Sequence, residues 1–91
     1  MSDKELVKML KAIANERRFL ILKHLFTQKE LTVGHISELI KLSFKSTSRH
    51  LAVLLNVNLV QVKQSNLNRF YSIDTKFPRE FRQFFKDKNN G

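Results

Sequence analysis

The sequence contains no cysteine, a single proline and two glycines among its 91 residues. Without cysteine there can be no disulfide, no thiolate metal ligand and no cysteine nucleophile, which suits a reducing compartment. No segment approaches the roughly 18 apolar residues that a membrane-spanning helix needs. The N-terminus mixes Asp3 and Glu5 with lysines and has no signal-peptide pattern. We therefore expect a cytoplasmic protein that has no membrane association.

Acidic residues are missing from one long segment. Between Leu39 and Ser72 there is no Asp or Glu, whereas five lysines and arginines lie within it, and the whole chain has a formal net charge of +9. Lys and Arg side chains that neutralise phosphates also release condensed counterions. The charge therefore fits a polyanionic partner, with nucleic acid first and an anionic membrane second. The alternative is that the excess cations form solvated surface that improves solubility.

Helix-start residues recur along the chain. Ser2 and Glu5 form the pattern of a capping box, and Asn15, Thr32 and Ser43 suit the N-cap positions of three further helices. Apolar residues at helical spacing follow each of these positions. The chain is 42% hydrophobic and has no internal repeat or linker. These features predict one globular domain over residues 1–91.

Two alternating, β-branched segments follow the fourth predicted helix. They cover residues 59–63 and 69–73, and turn-forming residues separate them. Asn58 stands where the preceding helix should end in a left-handed conformation. Residues 36–57 are thus interpreted as a helix-turn-helix and residues 59–73 as a wing. The predicted fold is mainly α, a winged helix-turn-helix with about five helices and a two-stranded β-hairpin.

The fourth helix, about Phe44 to Val57, is the predicted recognition helix. At about 100° per residue its apolar residues cluster on one side, opposite a polar side. Arg49 on the polar side suits bidentate binding of guanine, and Lys45 suits either phosphate or base. DNA contacts are assigned to Lys45, Ser46, Ser48, Arg49 and His50 in the helix and to Lys63, Gln64, Asn66, Asn68 and Arg69 in the wing.

Each helix residue in this set also has a structural interpretation. Lys45 and Arg49 would form an ordinary solvated face, and the serines would bond carbonyl groups of their own helix. His50 would either contact the DNA backbone or fill the shoulder of the helix. The three histidines lie on separate predicted helices, so we expect no metal site. Ser48 and His50 do not face each other on a helix, and no phosphate loop or pair of catalytic carboxylates is recognisable. We expect a non-enzyme without a cofactor.

Four late phenylalanines predict an interface between two copies of the chain. They follow helical spacing in a last helix over residues 77–88, and a domain this small can hardly bury all four. The first helix, residues 1–14, offers a second apolar side. A two-fold dimer would place two recognition helices roughly 34 Å apart, which predicts a palindromic site. The predicted homodimer interface consists of Leu6, Leu10, Ile13, Phe77, Phe81, Phe84 and Phe85.

Two segments carry a resemblance to a known family. Residues 11–22 are similar to the opening motif of the arsenic-repressor (ArsR/SmtB) winged-helix regulators, and Ser48-Arg49-His50-Leu51 is similar to their Ser-x-His-Leu recognition-helix signature. The resemblance implies a dimer formed by the first and last helices. It also implies promoter binding that an effector relieves.

The chain departs from this family at three places. Thr32 and Gly34 stand where the best-known sensing motif has cysteines, which excludes soft-metal sensing at that position. Residues 79–88 contain no histidine for the family's other common metal site. In the wing, Asn66 stands in place of the usual Gly and Leu67 in place of a frequent basic residue. Arg69 is therefore the candidate wing cation, and no residue pattern identifies a small-molecule effector.

The expected function is sequence-specific binding of double-stranded DNA by a homodimer that regulates transcription, as a repressor at a palindromic operator. Two alternatives stay open. One is an architectural DNA-binding protein without a regulated promoter, which sequence preference would distinguish. The other is a winged-helix module that binds protein or RNA, which the salt dependence of binding would distinguish.

Overall fold

The computed structural model describes residues 1–86 of the chain. The elements, in order, are α1 (Asp3–Ile13), α2 (Glu16–Gln28), β1 (Leu31–Thr32), α3 (Val33–Ile40), α4 (Phe44–Asn56), β2 (Val60–Ser65), β3 (Asn68–Ile73), α5 (Arg79–Arg82) and a 3-10 turn (Gln83–Phe85). Five helices and a β wing are present, so the predicted winged helix-turn-helix fold is confirmed.

Side chains cap the helices at the predicted positions. The Ser2 hydroxyl accepts a hydrogen bond from the Glu5 N–H at 3.1 Å, and the Glu5 carboxylate accepts one from the Ser2 N–H at 3.1 Å, which completes the capping box. The caps of the next three long helices are Asn15, Thr32 and Ser43. Beyond α4, Asn58 takes a positive φ of 60°, as the sequence predicts for a helix end.

The core lies around α2 and the inner sides of α3 and α4. Ile21 and Leu22 of α2, Ile36 of α3 and Leu51 of α4 are fully buried. Thr47 is the buried polar residue of this cluster, and its hydroxyl donates to the Ser43 carbonyl at 2.8 Å. Because that hydroxyl has a partner, its burial carries little penalty. The apolar side of α4 thus fixes the opposite side of this helix toward solvent.

The wing belongs to a three-stranded antiparallel sheet in the order β1-β3-β2. The β2-β3 hairpin matches the predicted wing, but β1 was not predicted. It pairs Leu31 with Tyr71 and Thr32 with Phe70. A strand of two residues shows no alternation that a sequence pattern can reveal. Strand β1 thus joins the base of the wing to the start of α3.

The C-terminal segment differs from the predicted helix over residues 77–88. A single short helix, α5, and a 3-10 turn occupy its middle, and residues 87–88 lie outside the described part of the chain. Phe77 and Phe85 are buried, and both pack against Phe26 at ring-centroid distances of 5.1 and 5.2 Å. Ile13 is buried as well. These three residues belong to the chain's own core, which corrects their assignment to a dimer interface.

Candidate nucleic-acid interface

The outward side of α4 carries the predicted cations. Lys45 and Arg49 are exposed, and Ser46 and Ser48 are half-buried beside them. They lie there because Thr47, Leu51 and Leu54 turn the other side of the helix into the core. Within residues 1–86, the hydroxyls of Thr27, Ser37 and Thr47 donate to carbonyl groups of their own helices, whereas the hydroxyls of Ser46 and Ser48 make no such bond. The two serine hydroxyls are therefore free to contact a ligand.

The predicted wing residues are all exposed, but they do not share one face of the hairpin. Arg69 is paired with Gln64, on the same side of the sheet as the Val62 and Tyr71 pair. The Arg69 guanidinium lies over the Tyr71 ring at 5.8 Å from its centroid. Lys63 is opposite Phe70, so its side chain belongs to the other face. Arg69 is thus directed toward the helices, while Lys63 is not.

A groove lies between α4 and the wing and brings helix and wing residues together. Ser48 from α4 and Arg69 from β3 both line it. Two exposed apolar side chains line it too: Phe44, the first residue of α4, is 62% exposed, and Leu67, in the two-residue loop of the hairpin, is 97% exposed. Sequence reasoning assigned no role to Phe44, because its angular position on the helix is close to that of the buried Leu51.

Arg17 and Arg18 hold the helices together, and sequence reasoning missed both. Arg18 Nε donates to the Ala12 carbonyl at 2.7 Å, at the end of α1. Arg17 Nη1 donates to the Ile40 carbonyl at 2.9 Å, at the end of α3. A signal was present, because two cations in the first turn of a helix oppose its macrodipole and need a compensating partner. Both arginines fix elements that surround α4.

His50 connects α4 to this arginine pair. Arg18 Nη1 lies 3.3 Å from His50 Nδ1. Since arginine can only donate, Nδ1 is the acceptor and the ring proton is on Nε2. Burial, followed by the charges of Arg18 and Arg17, lowers the pKa of His50. A neutral ring held by Arg18 suits the structural interpretation of the two considered for His50, and its contact with DNA stays a prediction.

We expect the protein to become less stable as the pH falls below about 6.5, the ordinary histidine pKa. The folded pKa of His50 is lowered, so the unfolded chain takes up the proton first and is favoured by acid. Urea unfolding between pH 7.5 and 5.5 measures this slope. His50→Gln should flatten it, whereas His35→Gln, at an exposed position on α3, serves as the control. An equal slope in wild type and His50→Gln would contradict the assignment.

Two structural findings concern metal binding and membrane insertion. In the segment from Met1 to Lys86, no three His, Asp or Glu side chains lie close enough together to hold a metal ion. None of the helices in that segment has both the length and the apolar character needed to cross a membrane.

Comparisons with known proteins agree on one family. Residues 15–62 match the family described as bacterial regulatory protein, arsR family. Over 69 residues the chain is 41% identical to the transcriptional activator HlyU of Vibrio cholerae, a match that covers 76% of this chain and 63% of that protein. The matched segment is thus less than two thirds of the length of this curated relative.

Solved structures of similar proteins have the same fold as this chain. HlyU from Vibrio cholerae N16961 superimposes with a TM-score of 0.79 at 34% identity, covering 92% of this chain and 94% of that one. Mb0332 from Mycobacterium bovis, described as a homodimeric winged helix-turn-helix DNA-binding domain, gives 0.76 at 25% identity, covering 93% and 81%. By its fold and by the match over residues 15–62, the chain belongs to the arsR family of bacterial regulatory proteins.

Proposed function

We propose that the chain is a cytoplasmic transcriptional regulator that binds double-stranded DNA sequence-specifically as a homodimer and represses a promoter that contains a palindromic operator. The main support is the outward side of α4. Lys45 and Arg49 are exposed there beside two serine hydroxyls, within a segment that has no acidic residue from Leu39 to Ser72. A cationic helix face of this kind suits phosphate contacts and base contacts together.

The relatives support this proposal and raise activation as an alternative to repression. HlyU is named a transcriptional activator, and Mb0332 is described as a DNA-binding homodimer. Whether the chain represses or activates transcription therefore needs its own test. A reporter fused to a promoter that the protein binds should lose expression when the protein is present. A gain of expression would retain DNA binding and replace repression by activation.

The proposed dimer interface is narrower than the sequence-based set. It retains Leu6 and Leu10 of α1 together with Phe81 and Phe84 near the C-terminus. Leu10 and Phe84 are exposed, while Leu6 and Phe81 are half-buried. The rings of Phe81 and Phe84 stack at a centroid distance of 6.2 Å, so together they present one apolar surface. Covering such a surface with a second copy is the simplest way to remove it from water.

Arg49→Ala tests the recognition surface. We expect it to weaken binding to a selected DNA duplex by roughly 1–3 kcal/mol and to relax the sequence preference, because a bidentate base contact is lost. Fluorescence anisotropy at physiological salt measures the affinity, and a second selection measures the preference.

Lys23→Ala is the matched control for this experiment. It removes the same charge from an exposed position of α2, which is not part of the proposed surface. Its affinity should stay near that of wild type. If Arg49→Ala and Lys23→Ala bind alike, α4 is not the reading helix. If wild type binds all duplexes equally, the architectural alternative applies instead.

A further inference from the structure

We propose that the groove between α4 and the wing seats one DNA strand, and that Phe44 reads thymine there while Leu67 packs on sugars of the same strand. This inference rests on the proposed DNA-binding function and assigns the residues that supply its non-ionic specificity. Neither residue belongs to the polar and cationic set predicted from the sequence.

Phe44 is placed where a recognition helix approaches base edges. It is the first residue of α4, directly after the cap Ser43, and 62% of its surface is exposed. The N-terminal residues of recognition helices lie closest to the bases in the major groove. The only apolar group that bases present in that groove is the C5-methyl of thymine. An exposed phenyl ring at this position is therefore suited to thymine.

Leu67 stands on the opposite side of the same groove. It is the second residue of the hairpin loop, after Asn66, whose φ is 56°. With 97% of its surface exposed, its side chain makes almost no contact within the domain. A basic residue at a wing tip would bind phosphate, whereas leucine can only contact the apolar faces of sugars or bases. Its contribution to binding should therefore not depend on salt.

The polar lining of the groove suits a phosphate-bearing strand. Arg69 supplies a cation and Ser48 a free hydroxyl, and none of the groove-lining residues among residues 1–86 is acidic. The Arg69 guanidinium lies over the Tyr71 ring, and both residues line the groove. This mixture of apolar and cationic lining residues suits the sugars, base methyls and phosphates along one strand. Ser48 lines this groove and also lies beside the cations on the outward side of α4.

The deciding experiment removes single methyl groups from the DNA. In a duplex obtained by selection, each thymine is replaced in turn by uracil, and affinities are measured by anisotropy. Wild type should lose roughly fourfold at one position of each half-site, the expected value for one apolar carbon. Phe44→Ala should bind the thymine and uracil duplexes equally, while Phe44→Leu should retain part of the difference. Circular dichroism before titration checks that each variant is folded.

Salt titration tests the second residue. Leu67→Ala should weaken binding at every salt concentration and leave the slope of log affinity against log salt unchanged. Arg69→Ala should reduce that slope by about one, because a phosphate contact is lost. Val53→Ala, an exposed apolar position of α4 that does not line this groove, is the control and should change neither quantity.

The possible outcomes separate this inference from the function on which it rests. Equal binding of thymine and uracil duplexes by wild type would overturn the role of Phe44, and so would a thymine preference that survives in Phe44→Ala. A changed salt slope in Leu67→Ala would overturn the role of Leu67. In all three cases DNA binding itself would stand. Failure of wild type to select any duplex would contradict the proposed function as well.

Discussion

Replacing Leu10 and Phe84 together by glutamate should yield monomers that bind a palindromic DNA at least about 100-fold more weakly than wild type. The two side chains are 41% and 49% exposed, so the substitutions should disturb the core little. In the proposed dimer they lie in the interface, where four buried carboxylates per dimer would be unpaired. Without the dimer, the second recognition helix loses its high effective concentration at the second half-site.

Light scattering and anisotropy on the same samples test this prediction. Gln83→Glu with Thr75→Glu is the matched control, since it adds the same charge at exposed polar positions. The control should remain dimeric and lose only the affinity due to its charge. A dimeric Leu10→Glu/Phe84→Glu variant would reject the interface. A monomer that binds the palindrome as tightly as wild type would reject the link between dimerisation and affinity.

Arg18→Ala should lower the free energy of unfolding by about 3 kcal/mol, because its hydrogen bonds come from a charged donor. The Ala12 carbonyl would lose a 2.7 Å bond, and His50 Nδ1 would lose its donor. The loss is large relative to the roughly 5–14 kcal/mol expected for a domain of this length. Arg18→Lys should recover little of it, since one ammonium cannot reproduce the guanidinium fork.

Urea denaturation of wild type, Arg18→Ala, Arg18→Lys and Lys23→Ala measures this effect. Lys23→Ala, on an exposed part of the same helix, should change stability by less than about 0.5 kcal/mol. Arg18→Ala should differ clearly from it, and its pH dependence should also change because one charge that lowers the pKa of His50 is removed. If the two alanine variants are equally stable, Arg18 is not a structural link between α1 and α4.

The parts of the fold that could be predicted are those that local sequence determines. Ser2, Thr32 and Ser43 cap helices because their hydroxyls reach N–H groups only three residues away. Asn58 follows α4 with a positive φ, a conformation that asparagine adopts more readily than most residues. Such interactions are visible in a short segment. They set where helices begin and end without saying what each helix packs against.

The parts that could not be predicted depend on long-range contacts. A phenylalanine stripe shows that a surface is apolar, but Phe77 and Phe85 are buried because Phe26, more than 50 residues away, lies opposite them. The outward face of α4 was predictable from periodicity. The placement of Lys63 and Arg69 on opposite faces of the wing required the strand register. Phe44 was missed because helical angle alone does not show how far the first turn extends beyond the core.

The short strand β1 has a consequence for the proposed binding of DNA. By pairing Leu31 with Tyr71, it ties the wing to the start of α3 and so restrains the position of the wing relative to the helices. If the wing and α4 keep a fixed separation, the DNA duplex has to change its shape to contact both. DNA sequences differ in the energy needed to bend or to change groove width. Discrimination would then extend to base pairs that no side chain touches.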